Sequence, residues 1–181
     1  RALRGPLSSM VDAIRNIGTG PNEEHLEFWG RVIDQDGNAH MVDVSDRAVT
    51  SRTATASGKV QLSAQVVAML RDNTVPKGDV LSTARIAGIM GAKKTPELIP
   101  LCHPLAIHGV DLELVTVDSG VEITATVKTV DRTGVEMEAL TAVSVAALTV
   151  IDMVKAIDPG AQICDVRVET KDGGRNGLWQ R

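Results

Sequence analysis

The segment formed by residues 135–157 constrains the fold more than any other part of this 181-residue chain. Ala, Val, Leu and Met dominate it, and its length suits one long helix packed against the rest of the protein. The charged residues in this segment are therefore unexpected, because burying a charge is costly unless the charge is paired or used. A polar stripe on a core helix is typical of an ion-pair network or of a ligand site.

The charges of this predicted helix fall into two groups. At 100° per residue, Glu138, Thr149 and Asp152 lie within about 40° of one line, and Lys155 lies about 60° further round. Asp152 and Lys155 are three residues apart and can form an ion pair, which by itself could be purely structural. Glu138 precedes Asp152 by fourteen residues, or about 21 Å along a straight helix. The two carboxylates therefore cannot act on one atom.

Glu136 has a local explanation that needs no ligand. Thr133 and Glu136 have the spacing of a capping box, in which the threonine caps the helix and the glutamate reaches back to the threonine N–H group. The spacing therefore predicts that Glu136 stabilises the start of the helix.

Composition excludes several classes of partner. Aromatic residues make up only 2% of the chain, which argues against base stacking on single-stranded nucleic acid. A net charge of −4 argues against broad electrostatic binding to nucleic acid or to an anionic membrane. Two cysteines, Cys102 and Cys164, are too few for a disulfide framework. With no recognisable signal peptide or long apolar span, we expect a reduced, cytoplasmic protein.

The order of predicted elements indicates an α+β fold. Residues 1–30 are rich in Gly, Pro and Ser and are interpreted as an extension or an artificial segment, and residues 31–181 as one domain. Gly173 and Gly174 open a basic tail. The predicted elements are a strand over 53–62, helices over 63–71 and 79–94, strands over 110–117 and 121–130, the long helix, and a strand over 163–171. This order predicts a ferredoxin-like split βαββαβ fold, with a four-stranded antiparallel sheet and helices on one face.

Several short segments carry reactive groups that also have ordinary explanations. Lys77 precedes a predicted helix N-terminus, where free N–H groups favour phosphate, but it could be a solvated turn residue. Cys102 and His103 share a loop bounded by prolines, and two such ligands are too few for a zinc site. His103 could equally be a hydrogen-bonded structural residue. Lys93 and Lys94 are explained by the dipole at a helix C-terminus.

Taken together, these segments resemble the cyclic pyranopterin monophosphate synthase family of molybdenum-cofactor biosynthesis. The resemblance covers about residues 30–180. The segments that carry it are residues 41–45 (MVDVS), 76–79 (PKGD), 84–89 (ARIAGI), 98–104 (LIPLCHP), 133–140 (TGVEMEAL) with its continuation to 147, and 152–156 (DMVKA).

The resemblance implies a substrate, an assembly and a set of roles. The substrate would be 3′,8-cyclo-7,8-dihydroguanosine 5′-triphosphate, and the assembly a homohexamer, a trimer of dimers with sites between subunits. No cofactor or protein-bound metal is implied, although a divalent ion such as Mg²⁺ could enter with the triphosphate. The implied catalytic residues are Asp152, Lys155 and Lys77. The implied substrate-binding residues are Leu101, Cys102, His103, Met137, Glu138, Asp43, Arg52, Lys171 and Arg175.

The implied chemistry is general acid and base catalysis. If the carboxylate and ammonium groups are buried, their pKa values would move toward neutrality. The chain departs from the family pattern at Gly91, Ile151 and Val154, where the family usually has Ala, Tyr and often Cys, and none of these changes removes a charge. Two alternatives stay open: a non-catalytic ferredoxin-like module that binds a nucleotide for regulation, and an inactive paralogue.

Overall fold

The computed structural model describes residues 38–181. The chain divides after Asp43, and residues 44–181 form one compact unit that contains the helices and strands named below. The predicted boundary near residue 30 lies outside the described residues, so the division into residues 1–30 and 31–181 stays a prediction.

The elements alternate as an α+β protein, which confirms the predicted class. In chain order they are β1 (Thr50–Gln61), α1 (Ala64–Arg71), α2 (Val80–Lys93), α3 (Thr95–Leu98), β2 (Ile107–Val117), β3 (Gly120–Asp131), α4 (Glu136–Val154), β4 (Gln162–Asp172) and β5 (Trp179–Gln180). The strands form one antiparallel sheet in the order β2-β3-β1-β4-β5.

The sheet has five strands, so the predicted number of four was wrong. Gly173 and Gly174 adopt φ angles of +104° and +78°, which glycine reaches at little cost. They turn the chain back after β4, and Trp179 then pairs with Lys171 in an antiparallel bridge. The segment predicted as a tail is therefore an edge strand, too short for its alternation to show in the sequence.

The core lies between one face of the sheet and the helices α2 and α4. Inward residues alternate along the two central strands, as the pattern of residues 121–130 predicts. The fully buried ones are Ala54, Ala56, Val60, Val121, Ile123, Ala125 and Val127. Small side chains also line the contact between α2 and α4. A Cβ atom at Gly91 would lie 2.8 Å from the Cβ atom of Val145, so the glycine allows this close approach.

Two predicted helix starts are confirmed and one is wrong. Ser63 and Asp79 cap α1 and α2 with their side chains, as expected of residues that bond free N–H groups. The long helix instead begins after Val135 with no side-chain cap, so the capping box of Thr133 and Glu136 does not form. The helix begins two residues later than a cap at Thr133 requires, so Glu136 is its first residue and not its third. The carboxylate of Glu136 contacts β4 instead, where the Nζ atom of Lys171 lies 3.4 Å from one of its oxygens.

The long helix α4 serves as the core helix of this unit. By length and composition alone it could cross a membrane, but slightly more than half of its apolar window is buried within the fold. Its two ends differ in exposure. Glu138 in the first turn is 3% exposed, whereas more than half of the Asp152 side chain in the last turn is exposed.

Candidate active site at the two ends of the long helix

The C-terminal end of α4 brings together the three residues predicted to be catalytic. One carboxylate oxygen of Asp152 lies 2.6 Å from the Nζ atom of Lys155, and the other lies 3.2 Å from the Nζ atom of Lys77. Lys77 also donates a hydrogen bond to the backbone carbonyl of Asp152 at 2.7 Å. Two ammonium groups therefore hold one carboxylate.

Local sequence explains how Lys77 reaches this position. It lies in a tight turn between Pro76 and Gly78, and Gly78 has a φ of +98°, which a residue with a side chain rarely adopts. Asp79 then fixes the turn to α2, because its carboxylate accepts hydrogen bonds from the backbone N–H and the hydroxyl of Ser82. The negative end of the α4 dipole favours the two ammonium groups that gather there.

The pKa of Asp152 is lowered, whereas burial of the ion pair would have moved it toward neutrality. The Lys155 ammonium, and after it that of Lys77, lowers the pKa of the Asp152 carboxyl. All three side chains are about half exposed, so burial does not move the pKa of Asp152 toward neutrality. Asp152 is therefore a carboxylate at neutral pH, able to accept a proton.

The N-terminal end of α4 meets the loop that follows α3. Burial raises the pKa of Glu138, the neighbouring Glu136 raises it further, and the backbone N–H of Glu138 partly opposes this. Burial also raises the pKa of the Cys102 thiol, and the charge of Glu138 adds to that effect. Cys102 and Glu138 therefore lie within range of each other's charge. Their sequence neighbours His103 and Met137 are both partly exposed. Leu101 is 44% exposed beside them in sequence.

Two cations from the sheet extend this second cluster. Lys171 pairs with Ala54 across the sheet, on the face that α4 covers, and contacts Glu136. Arg52 precedes Ala54 by two residues and so points to the same face. The Arg52 guanidinium donates hydrogen bonds to the backbone carbonyls of Asp131 at 3.4 Å and Arg132 at 3.3 Å.

The glycine pair after β4 supports Arg52. A side chain at Gly173 would overlap the backbone of β1, and one at Gly174 would overlap the Arg52 guanidinium. The backbone of this turn can therefore lie flat against Arg52, with Arg175 as the next residue. The local sequence predicted a basic tail here, and a binding role for Arg52 and Arg175 was implied by the family resemblance alone, because contact between residues so far apart leaves no local signal.

The predicted site residues thus form two groups rather than one. Because α4 is unbroken, Glu138 and Asp152 are separated by about 21 Å along its axis. Asp43 belongs to the unit that precedes residue 44, so its part in the site stays a prediction. In the part of the chain that the structure describes, no group of three His, Cys, Asp or Glu residues could hold a metal ion. The two groups together offer proton transfer and anion binding.

Lys93, Lys94 and His108 also carry reactive groups. Lys93 ends α2 and Lys94 caps it, both exposed, as the helix dipole explains. A ring nitrogen of His108 lies 3.4 Å from the hydroxyl of Thr129 on the neighbouring strand. Thr129 in turn pairs with Arg52 across β1 and β3.

Comparison with known proteins shows the family of the chain. Residues 41–174 match the model of the MoaC family, which is well over half of the chain. The cyclic pyranopterin monophosphate synthase of Streptomyces avermitilis is 70% identical over 149 residues, covering 82% of this chain and 88% of that protein. Its namesake in Nocardioides sp. is 64% identical over 152 residues, covering 82% and 93%. Cyclic pyranopterin monophosphate synthase 2 of Mycobacterium tuberculosis is 61% identical over 148 residues, covering 82% and 89%. The chain belongs to the MoaC family.

Proposed function

We propose that this protein is a cyclic pyranopterin monophosphate synthase of molybdenum-cofactor biosynthesis. It converts 3′,8-cyclo-7,8-dihydroguanosine 5′-triphosphate into cyclic pyranopterin monophosphate and diphosphate. The observation that carries the proposal is the carboxylate of Asp152 held between Lys155 at 2.6 Å and Lys77 at 3.2 Å, in a chain of this family.

Asp152 acts as the general base of this reaction. The reaction opens one ring, forms a pyran and closes a cyclic phosphate, and each step moves a proton. The lowered pKa keeps Asp152 ionised at neutral pH. When an anionic phosphate draws an ammonium away from Asp152, the carboxylate loses part of its stabilisation and becomes more basic. Binding of the substrate thus prepares the base.

Lys155 and Lys77 act as proton donors and stabilise negative charge. Each ammonium already donates a hydrogen bond to an oxygen of Asp152, so each can return a proton or stabilise a developing negative charge. The diphosphate that leaves carries such a charge. The exposure of these side chains leaves room for a ligand to approach them.

The complete site combines two subunits of a homohexamer, arranged as a trimer of dimers. One support is the separation of about 21 Å between Glu138 and Asp152, which one chain cannot close. A second is the exposed apolar surface on the outer side of α2 and α4, where Ile86, Met90 and Leu148 are each more than half exposed. A second copy that covers this surface would place the start of its α4 near the end of the first.

The finer assignment of the fold and compartment belongs with this proposal. The order β2-β3-β1-β4, with helices on one face, supports a ferredoxin-like core to which β5 is added at the edge. We propose a cytoplasmic enzyme that needs no cofactor of its own. A divalent ion such as Mg²⁺ would be carried by the triphosphate of the substrate.

A direct assay tests the proposal. The purified protein is incubated with the cyclo-dihydro-GTP substrate, and diphosphate and the oxidised fluorescent pterin are measured together. We expect both products in equal amounts, and Lys155→Ala to lose most of this turnover. Binding of the substrate without release of diphosphate would support the regulatory module instead.

A further inference from the structure

Arg132 is a second arginine at the start of α4 that the sequence did not single out. It lies in the connection between β3 and α4, and its side chain donates a hydrogen bond to the backbone carbonyl of Arg47 at 3.1 Å. Its own carbonyl accepts the hydrogen bond from Arg52. Both side chains therefore occupy the space between the start of β1 and the start of α4.

The two guanidinium groups are held by carbonyls and not by carboxylates. Arg52 bonds two backbone carbonyls and Arg132 bonds one, and within residues 38–181 no Asp or Glu forms an ion pair with either. A guanidinium has five N–H donors, so most of the donors of this pair are left for another acceptor. Both residues are only partly exposed, which makes their uncompensated charge more costly than at an open surface.

The acidic groups nearby are engaged elsewhere. Lys171 contacts Glu136, and the carboxylate of Asp131 accepts a hydrogen bond from the backbone N–H of Arg132 at 2.6 Å. The N-terminal end of α4 adds a partial positive charge. Guanidinium groups near a helix N-terminus are suited to phosphate, which binds them through several charge-assisted hydrogen bonds.

We propose that Arg132 acts together with Arg52 to bind the terminal phosphates of the substrate. This inference rests on the proposed function and deepens it, because it divides the ligand between the two ends of α4. The guanidinium pair of one subunit holds the polyphosphate end. The group of Lys77, Asp152 and Lys155, from the other subunit, meets the atoms that react.

A comparison of two probes tests the role of Arg132. The dissociation constants of GTP and of guanosine are measured for the wild-type protein and for Arg132→Gln, since the two probes differ only in the triphosphate. We expect Arg132→Gln to weaken GTP binding by about tenfold or more and guanosine binding by less than about twofold. The control is Arg71→Gln, which removes an exposed arginine paired with Asp118 and should change neither constant.

A second variant separates phosphate binding from support of the fold. Arg132→Lys keeps the charge but loses the planar fork. We therefore expect it to recover part of the lost GTP affinity, and to lose binding with added salt more steeply than Arg132→Gln does. Equal weakening of both probes, unchanged GTP affinity, or a wild-type protein that does not distinguish GTP from guanosine would overturn the inference. The proposed function fails separately, if the wild-type protein releases no diphosphate from its substrate.

Discussion

Asp152 and Lys155 lie one turn apart at the end of α4, and their side chains meet at 2.6 Å while more than half of each stays exposed. An exposed ion pair contributes little to stability, because water screens the attraction and two long side chains must be ordered. A pair in this position is therefore better explained by chemistry than by stabilisation of the fold.

We expect Asp152→Asn to remove turnover and leave the fold unchanged. Asparagine keeps the shape of the side chain but cannot accept a proton, so the rate of product formation should fall by about 10²-fold or more. The melting temperature should stay that of the parent. The matched control is Asp118→Asn, which removes an exposed carboxylate that contacts Arg71 at 2.6 Å. Normal turnover per folded enzyme in Asp152→Asn would show that this residue is not the base.

Replacement of Lys155 should move the acid limb of the activity profile. Lys155 is the main cause of the lowered pKa of Asp152, followed by Lys77. The ionised base is therefore present above the lowered pKa and is lost only as pH falls through it. In Lys155→Gln the pKa of Asp152 rises toward its ordinary value of about 3.9. We expect the residual activity to fall off at a higher pH than in the wild type, in a profile of kcat/KM against pH.

Glu138 should make the folded state less stable as pH rises. Burial raises its pKa, so the folded state binds this proton more tightly than the unfolded state. Stability then falls between the ordinary glutamate pKa, about 4.3, and the raised value, and levels off above it. Glu138→Gln removes this pH dependence of stability. The melting temperature of the variant, relative to that of the wild type, should therefore increase as pH rises. Glu113→Gln, at an exposed position on β2, should follow the wild type at every pH.

Mixed oligomers should recover activity only when the two changes lie at opposite ends of α4. In a mixture of Asp152→Asn and Arg52→Gln subunits, the first variant keeps an intact N-terminal end of α4 and the second keeps an intact C-terminal end. A site formed by these two ends is complete, so exchange of subunits should restore part of the rate. Asp152→Asn combined with Lys77→Ala should restore none, because these two residues contact each other at 3.2 Å within one chain. No recovery in the first mixture, with exchange confirmed, would contradict the shared site, and recovery in the second would contradict the grouping of Lys77 with Asp152 in one subunit.

Gly91 and Val145 should show coupled effects on stability. In an open helix Gly91→Ala would stabilise the protein by up to about 1 kcal/mol. Here the new Cβ atom would lie 2.8 Å from Val145, and overpacking of this kind costs about 1–3 kcal/mol. We expect the single variant to lower the free energy of unfolding. Gly91→Ala with Val145→Ala should recover part of the loss, because alanine removes the two Cγ atoms of Val145 at 2.8 and 3.2 Å and leaves its Cβ atom in place. Additive effects in a urea-unfolding cycle would contradict the contact.

The parts of the fold that were predicted correctly depend on local signals. Ser63 and Asp79 each accept a hydrogen bond from the free backbone N–H group three residues later. Such a cap depends only on neighbouring residues, so the sequence predicts it. Contacts between distant residues were not predictable in this way. Lys171 on β4 pairs with Glu136, and the Arg52 guanidinium lies against the turn after β4. The pairing of Lys77 with Asp152 likewise depends on the packing of α2 against α4 and could be expected only from the family resemblance.

Because α4 runs unbroken from Glu136 to Val154, its length fixes the distance between the residue groups at its two ends. In an oligomer the same distance would apply to every site. One residue inserted between its ends would move one group by 1.5 Å and turn it by about 100° relative to the other. No change in a loop could compensate for this displacement, because both groups belong to the same helix. The helix should therefore tolerate substitutions at its exposed positions far better than it tolerates a single insertion or deletion.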